Sequence, residues 1–393
     1  MRRLTIGIAL LGSVLWTAIE GWAQPPRYYV VDLGHGSPGY ARDVTAAGRP
    51  VGHVGLEHSA KAVSWQMSDG PNHLLTPNAE GYNSQALGVN NHGRIAGWSN
   101  FKYGDPPQPG QEHACIWQHG ALQWLEEPPV ATGSQAYDVN DQGVAVGMWH
   151  TWPPNTYSVS GFHAVKWLAD GSMIDLSEPD EYASRAEAIN SQGQVVGMRR
   201  DARGRHAILW DEWGNPQNLG DLGTSGARAT GINDAGHAVG YCRTDSIGTT
   251  PFFWDGEMRS LETFGRADDQ FFPWDINAND AIVGTVLSFS GGIGSLTPVL
   301  WWEDEIYDLN TLREPFYSPI YGTMMLREVF AINDDGVIAA SGQSFGPYAA
   351  TRPYLLVPVP EPSTLVLLIV GAVGFLICAG RSRLLHNRHG RRA

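Results

Sequence analysis

The nine residues VNDQGVAVG at positions 139–147 recur with little change as INSQGQVVG at 189–197 and INDAGHAVG at 232–240. In each copy a β-branched residue and Asn precede a turn with Gly and a short apolar run. The key Asn or its substitute recurs every 43 to 56 residues, at Thr45, Asn90, Asn140, Asn190, Asn233, Asn277 and Asn333. Such a period is typical of a stacked or radial array whose units bury their apolar faces against their neighbours.

Six of the seven units contain a second block that ends in Trp. It reads HACIW at 113–117, HAVKW at 163–167 and HAILW at 206–210, and a turn and a run ending in Leu follow it. Asn can bond back to the backbone and Gly accepts positive φ, so the Asn-x-x-Gly spacing predicts a tight turn. Short β-type runs between turn signals then give four strands per unit, which is the strand number of a propeller blade. We expect the repeated Trp to form blade cores.

The last unit is one strand short, and the segment YYVVDLG at 28–34 lies outside the first unit. We therefore predict an all-β fold, a seven-bladed β-propeller-like array over 24–357, in which the N-terminal strand completes the final blade and closes the ring. An open β solenoid or a pair of β sandwiches is the alternative.

The composition excludes one class of partner. Between Gln24 and Ser363 the chain has 19 basic and 39 acidic residues, a net charge of −20. Affinity for nucleic acid depends largely on cations that neutralise phosphates, so we expect no nucleic acid partner. Three cysteines make no even disulfide framework, and we expect buried thiols, with a Cys115–Cys242 bridge as the alternative.

The N-terminus has the features of a secretory signal peptide over 1–23. Arg2 and Arg3 precede an apolar stretch from 4 to 19, and the small residues Gly21 and Ala23 flank Trp22. This pattern predicts export and cleavage by signal peptidase after Ala23. A retained membrane anchor is the alternative.

The C-terminal segment, 358–393, has three parts. Pro360, Glu361, Pro362 and Ser363 precede an uncharged run from 364 to 379, and a basic tail with Arg381 and Arg383 follows. As a helix, the run would cover roughly 24 Å of a hydrocarbon core of about 30 Å, so Gly380 and a snorkelling Arg381 would complete the span. We predict a transmembrane helix with its basic tail in the cytoplasm.

This arrangement resembles the PEP-CTERM sorting signal of exosortase substrates. The resemblance implies that an exosortase-like processing enzyme cuts near Pro360–Pro362, so that a membrane-anchored precursor becomes a cell-surface or extracellular protein. A plain tail anchor is the alternative. The repeats also resemble bacterial extracellular HAF repeats, with His-Ala at 113–114, 163–164 and 206–207, although Cys115, Val165 and Ile208 replace Phe. That resemblance implies no established activity.

The sequence contains no recognisable catalytic constellation. His113, His163 and His206 occupy one repeat position on successive blades, and equivalent positions do not converge on a metal. No His-Glu-x-x-His or Walker motif occurs. We therefore predict no catalytic, cofactor-binding or metal-ligating residues and no cofactor.

Insertions distinguish the units from one another. The long ones, at 98–112, 148–162 and 285–297, should gather on one face, where repeat folds often bind ligands. Exposed aromatic rings can stack on sugars or anchor a protein. The candidate ligand face comprises Trp98, Phe101, Tyr103, Trp149, Trp152 and Tyr157. The alternative is that these rings fold over neighbouring blades.

Two functions remain open. The first is a non-catalytic surface protein that binds extracellular matrix polysaccharide or an envelope protein through the propeller face. The second is a secreted propeller enzyme, such as a glycosidase or lyase, with carboxylates that converge on the central channel.

Overall fold

A computed structural model of the chain describes residues 25–360, apart from 35–36, 56–59, 67–69, 74–82, 101–111, 152–160, 180, 245–247, 267, 291–292, 319–321 and 346–349. One compact unit comprises Tyr28–Val357. A second unit combines Met1–Arg27 with Pro358–Ala393, and only 25–27 and 358–360 of it are described.

The compact unit is a seven-bladed β-propeller, as predicted, so the solenoid and the sandwiches are excluded. Strand β1 is Tyr28–Asp32. Blade 1 contains β2 (Gly39–Val44), β3 (Pro50–Val54), β4 (Lys61–Gln66) and β5 (Gly70–His73); blade 2 contains β6 (Ser84–Val89), β7 (Ile95–Ser99), β8 (His113–Gln118) and β9 (Ala121–Trp124). Blade 3 contains β10 (Gly133–Val139), β11 (Ala145–His150), β12 (Phe162–Trp167) and β13 (Met173–Asp175).

The later blades repeat this order along the chain. Blade 4 contains β14 (Ala183–Ile189), β15 (Val195–Asp201), β16 (Gly204–Trp210) and β17 (Pro216–Gly220); blade 5 contains β18 (Ala227–Ile232), β19 (Ala238–Arg243), β20 (Thr249–Trp254) and β21 (Met258–Ser260). Blade 6 contains β22 (Gln270–Ile276), β23 (Ile282–Ser290), β24 (Ile293–Trp302) and β25 (Glu305–Asp308), and the short helix α1 (Leu309–Leu312) follows it. Blade 7 contains β26 (Tyr317–Ser318), β27 (Gly322–Ile332), β28 (Ile338–Phe345) and β29 (Thr351–Pro358).

Strand β1 is the outer strand of blade 7, so the two ends of the propeller meet in one sheet. It pairs with β29, and the Leu33 N–H donates to the Pro353 carbonyl over 3.1 Å. Tyr28 is only 1% exposed and packs in the core cluster that includes Leu326 and Tyr354. The predicted closure by the N-terminal strand is confirmed.

A ring of asparagine hydrogen bonds joins the inner hairpins. Within one turn, the Asn190 Oδ1 accepts from the backbone N–H groups of Gln192 and Gln194. Its Nδ2 donates to the Asn233 carbonyl of the next blade over 3.1 Å. The same link, at 2.9 to 3.1 Å, runs from Asn90 around the ring to Thr45. Thr45 has no side-chain amide and cannot make this bond to blade 2. The Ala46 N–H donates to the Asn91 Oδ1 there, as the Ser191 N–H donates to Asp234 between blades 4 and 5.

The repeated tryptophans fill the blades, as expected. Five of the six are at most 2% exposed: Trp65, Trp117, Trp167, Trp210 and Trp301. Burial of an indole contributes roughly 4 to 6 kcal/mol before entropy costs. Cys115 and Cys242 are buried free thiols, so the alternative of a bridge between them is wrong, whereas Cys378 lies outside the described residues.

The prediction that residues 285–297 form a loop insertion is wrong. Strands β23 and β24 continue through it as a long hairpin that pairs as far as Ser290 and Ile293. The physical reason is visible in the sequence, because Gly291-Gly292 is a hairpin signal between two runs of β-forming residues. The predicted terminal segments 1–23 and 364–379 lie outside the described residues, and no helix among the described residues is long and apolar enough to span a membrane.

Replacement of Tyr28 by Ala should destabilise the propeller. The side chain is buried where β1 meets blade 7, and loss of such a ring costs about 3 to 5 kcal/mol. Urea unfolding of the full chain measures this loss. Tyr29, which is 51% exposed, supplies the matched control, and Tyr29→Ala should change the unfolding free energy by less than about 0.5 kcal/mol. Equal effects of the two substitutions would contradict the closure.

Candidate functional site

The channel between the inner strands has two unlike ends. At the face formed by the Asn turns, here called the turn face, a cavity of about 210 Å³ is lined by the β-branched residue, the Asn and the residue after it from successive blades. Side chains there bond to the neighbouring blade, as when Asp234 accepts from the Ser191 N–H over 2.8 Å. This end repeats the same contacts in most blades, so we assign it to the architecture of the ring.

Each inner strand carries a β-bulge three residues before its Asn. The pairing shifts between Ala136 and Asp138 in blade 3, and at the equivalent position in every other blade. A bulge leaves one residue unpaired and re-aims its side chain. The residues at this position all differ: Arg42, Leu87, Tyr137, Glu187, Thr230, Trp274 and Phe330.

Five of these seven bulge residues line a second cavity, of about 480 Å³. It lies at the other mouth of the channel, where the inner strands begin and the second strand of each blade connects to the third; this side is called the loop face. Residues two positions earlier in the inner strands also contribute, together with Trp98 and Glu112. We call this cavity the channel-mouth cavity. Its lining is Arg42, Gln85, Leu87, Trp98, Glu112, Gln135, Tyr137, Arg185, Glu187 and Phe330.

A chain of polar contacts crosses the channel-mouth cavity. The Arg185 guanidinium donates to the Tyr137 hydroxyl, which donates to the Gln135 Oε1 over 2.8 Å, and the Gln135 amide donates to Glu112. At the other end of the chain, the Glu187 Oε1 lies 3.4 Å from the Arg185 Nε. The cavity therefore presents charged and neutral hydrogen-bonding groups from blades 2, 3 and 4 in one connected arrangement.

Glu112 and Glu187, the two carboxyl groups in this row of polar contacts, have pKa values shifted in opposite directions. Burial raises the pKa of Glu187, but the Arg228 and Arg185 cations lower it by more. The pKa of Glu187 therefore lies below its usual value. The Arg228 Nη2 lies 2.6 Å from the Glu187 Oε1. Burial raises the pKa of Glu112, and the hydrogen bond from Gln135 only partly offsets this effect. At neutral pH, Glu187 is a buried anion bound by two arginines.

Arg42 enters the same cavity from blade 1. Its guanidinium carbon lies 4.3 Å from the centre of the Phe330 ring and 5.1 Å from that of Tyr40. Its Nε is buried and has no hydrogen-bond partner among the described residues. Two aromatic rings thus position this cation in the wall of the cavity.

Three carboxyl groups follow bulge residues in the inner strands and bond to the neighbouring blades. Asp43, Asp138 and Asp275 each accept from a backbone N–H of their own blade and from one of the next, over 2.6 to 2.9 Å. Burial raises the pKa of all three carboxyl groups, that of Asp275 to about 7. Their bonds between blades make them part of the ring.

The structure places the candidate aromatic residues in different settings. Trp98 lines the channel-mouth cavity but is 7% exposed, and Trp149 is equally buried and stacks on His163 with ring centres 4.1 Å apart. Neither indole is therefore the exposed stacking surface that the sequence predicted. Trp149 packs in a core cluster that blades 2 and 3 share, and Trp98 lies in the wall of the cavity. The other four candidates lie outside the described residues: Phe101, Tyr103, Trp152 and Tyr157.

All but one of the predicted sorting-signal residues lie outside the part of the chain that the structure describes. Pro360 is the last residue that the structure describes, and it is exposed. The rest lie outside the described part: Glu361, Pro362, Ser363, Arg381 and Arg383.

The repeated histidines lie on separate blades, as predicted. His113 contacts Glu127 at 2.9 Å in blade 2, and His206 contacts Asp201 at 3.0 Å in blade 4. Among the residues that the structure describes, no group of three or more His, Cys, Asp or Glu side chains is arranged to hold a metal ion.

Sequence reasoning missed the bulge residues, although a signal was present. The third and fifth positions before each repeat Asn vary from unit to unit in charge, size and aromaticity, within a block that is otherwise repeated. Tyr137, Arg185 and Glu187 are examples. A search for variable positions inside the repeat would have found them.

Comparisons with known proteins match one family model to part of the chain and find solved structures with a similar fold. The model of a family described as a protein of unknown function, DUF3466, matches residues 59–208. No curated protein matches this chain. Puromycin hydrolase is similar in structure over 79% of this chain and 51% of its own, with a TM-score of 0.52 and 11% identity.

Two lyases are among the other similar solved structures. Virginiamycin B lyase from Staphylococcus aureus is 10% identical, with 85% of this chain and 100% of its own covered at a TM-score of 0.47. Oligogalacturonate lyase from Vibrio parahaemolyticus is 11% identical, with 86% and 93% covered at a TM-score of 0.49. Likeness at these identities shows the fold alone.

The raised pKa of Asp275 predicts a specific dependence of stability on pH. Since the folded protein binds this proton more tightly than the unfolded chain, whose pKa is about 4, the stabilisation is complete below about pH 4 and is lost as pH rises through about 7. The unfolding free energy of the natural protein minus that of Asp275→Asn should therefore fall between pH 5 and pH 8, by roughly 1.4 kcal/mol per pKa unit. Urea unfolding at several pH values measures it. A difference that stays constant would refute the shift.

Proposed function

We propose that this protein is a non-catalytic, surface-displayed propeller that binds extracellular polysaccharide at the channel-mouth cavity. The observation that carries the proposal is the contrast between the two ends of the channel. The turn face repeats one set of contacts, whereas the loop face presents different side chains from successive blades. A ring needs no such variety for its own assembly, so the variety supports selection for a ligand.

The chemistry of the cavity fits a saccharide. Sugars offer an apolar ring face and many hydroxyl groups, and binding sites for them combine aromatic rings with hydrogen-bonding groups. Tyr137 and Phe330 supply rings, while Gln85, Gln135 and Arg185 supply donors and acceptors. A volume of about 480 Å³ lies within the usual range for small-ligand sites, which is about 300 to 1,000 Å³.

The state of Glu187 favours binding over catalysis. A general base or nucleophile needs a free lone pair directed at its substrate. Glu187 is instead within ion-pair distance of Arg228 and Arg185, on a side chain that is 11% exposed. Its charge therefore orients the two arginines.

Export and surface sorting form the second part of the proposal. The terminal sequences support cleavage by signal peptidase near Ala23, temporary anchoring through 364–379 and processing near Pro360–Pro362 by an exosortase-like enzyme. Their resemblance to PEP-CTERM proteins, and that of the repeats to HAF proteins, supports a location at the cell surface or in the extracellular matrix.

A polysaccharide-cleaving enzyme is the second candidate, and one observation favours it. Glu112 and Glu187 line the same cavity, and their pKa values are shifted in opposite directions. Glycosidases use two carboxyl groups, one held protonated and the other ionised. In this role Glu112 would be the acid and Glu187 the anion.

Replacement of Tyr137 by Ala should weaken polysaccharide binding about tenfold or more, because it removes both a ring of the cavity and the hydroxyl between Arg185 and Gln135. A glycan array identifies the ligand for the natural protein, and titration calorimetry measures the loss. Gln192→Ala is the matched control, since Gln192 is exposed at the opposite mouth, and it should bind normally.

Two outcomes would overturn the binding proposal. One is equal affinity of the Tyr137→Ala and Gln192→Ala proteins for every glycan bound. The other is release of new reducing or unsaturated ends from the ligand, abolished by Glu112→Gln, which would establish the enzyme instead.

Surface protein from the native cells should end near Pro360–Ser363, not at Ala393. Mass spectrometry of the mature C-terminus measures this end directly. Replacement of both Pro360 and Pro362 by Ala should retain the full tail in the membrane fraction, whereas Arg388→Ala, in the distal tail, should still be processed. An intact Ala393 on the mature surface protein would defeat the sorting proposal.

A further inference from the structure

A second cavity on the loop face lies away from the channel, at the seam of blades 4 and 5. Its volume is about 500 Å³. Strand ends from both blades and the start of β22 line it. We call it the arginine pocket, and its polar side chains are those of Arg200, Arg205, Ser225, Arg243, Thr244 and Gln270.

Backbone contacts around Gly226 position two of the pocket's arginines. Arg205 and Gly226 make a parallel β-bridge, and the Arg243 N–H donates to the Gly226 carbonyl over 2.7 Å. Gly226 has a φ of 154°, and a Cβ there would lie 3.1 Å from the Arg205 carbonyl oxygen. The positive φ and this close approach both favour glycine, and the contacts hold the backbone of Arg205 and Arg243 in place.

The described lining of the pocket concentrates positive charge. The described residues that line it include three arginines and no acidic side chain. Arg200 and Arg243 are exposed at strand ends and make no ion pair with a described residue, and the Arg205 Nε is buried without a hydrogen-bond partner among the described residues. Burial lowers the pKa of Arg205, with Arg243, Arg228 and Arg200 lowering it further.

This clustering opposes stability and runs against the charge of the whole protein, which is −14. Like charges in one cavity repel each other, and unpaired buried donors cost free energy. A cleft lined by charge of one sign concentrates ligands of the opposite sign. The pocket therefore has the properties of an anion-binding site.

We propose that the arginine pocket binds the carboxylate groups of an acidic saccharide, such as a chain of hexuronates. The planar arginine fork matches a carboxylate with two parallel hydrogen bonds. Ser225, Thr244 and Gln270 add side chains able to hydrogen-bond sugar hydroxyls. The volume of about 500 Å³ suits one or more sugar rings and greatly exceeds the space that a phosphate ion fills.

Arg228 connects the arginine pocket to the channel-mouth cavity. Its guanidinium pairs with Glu187 of that cavity at 2.6 Å, and its charge acts on Arg205 of the pocket. A saccharide that occupies both sites would follow this basic track across the loop face. The inference rests on the proposed function for the saccharide, while the anion site rests on the arginines alone.

The test uses a hexuronate tetrasaccharide, its fully methyl-esterified form and inorganic phosphate as probes of the full chain, by titration calorimetry. Arg200→Gln with Arg243→Gln should weaken binding of the acidic tetrasaccharide at least tenfold, because each lost charge-assisted pair is worth about a factor of ten. Arg259→Gln is the matched control, since Arg259 is exposed in β21 and pairs with Asp255, and it should leave binding unchanged. The lysine double variant, Arg200→Lys with Arg243→Lys, should bind with intermediate affinity because it retains charge without the planar fork.

The outcomes separate this inference from the proposed function. The acidic tetrasaccharide should bind more weakly as ionic strength rises from about 0.01 M to about 0.15 M, and the ester should not bind at this pocket. Equal affinity for acid and ester, equal affinity of the arginine and Arg259→Gln variants, or binding of phosphate but not of the tetrasaccharide would overturn the inference. If binding depends on Arg200 and Arg243 but not on Tyr137, the inference stands and the channel-mouth proposal fails.

Discussion

The hydrogen bond from the side-chain amide of each repeat Asn to the next blade is the interaction on which the rest of the propeller depends. One side chain performs two tasks, because its Oδ1 closes its own turn while its Nδ2 bonds to the neighbouring hairpin. The link continues through six Asn residues to Thr45 and so spans the seam between the last and first blades. The residue that both forms the turn and joins the blades is Asn in six of the seven units, which explains why the most regular feature of the sequence carries no specificity.

The β-bulge resolves the conflict between a regular ring and a specific site. On the inner strand, alternate residues must be small and buried for the blades to meet, as with Ala136 and Ala186. The extra residue of each bulge is released from this requirement, and it enters the channel on the far side from the Asn ring. Tyr137 and Glu187 can therefore differ from their counterparts without cost to the interface between blades.

The same bulge explains what the sequence could and could not predict. Periodicity was sufficient for the blade number, the tryptophan cores and the closure by Tyr28, since each depends on patterns that recur. Simple alternation fails at the bulge, because one inserted residue exchanges the faces of a strand, so Arg42 and Tyr137 could not be assigned to the channel by counting. Trp149 was misjudged for the opposite reason, since its place next to a long insertion obscured that it still belongs to a strand and stacks on its cross-strand neighbour, His163.

Charge is segregated within the ring in a way that the overall composition conceals. Between 185 and 243 the chain has seven arginines and six acidic residues, although the whole body carries about two acidic residues for each basic one. Three of these arginines line the arginine pocket, and Arg185 and Arg228 adjoin Glu187 at the channel mouth. Since the remaining surface repels anions, an acidic ligand would be directed to this sector before any contact forms. The buried carboxylate of Glu187 is ionised for a structural reason. Its negative charge holds Arg185 and Arg228 together at the mouth of the channel, because their mutual repulsion would otherwise separate them.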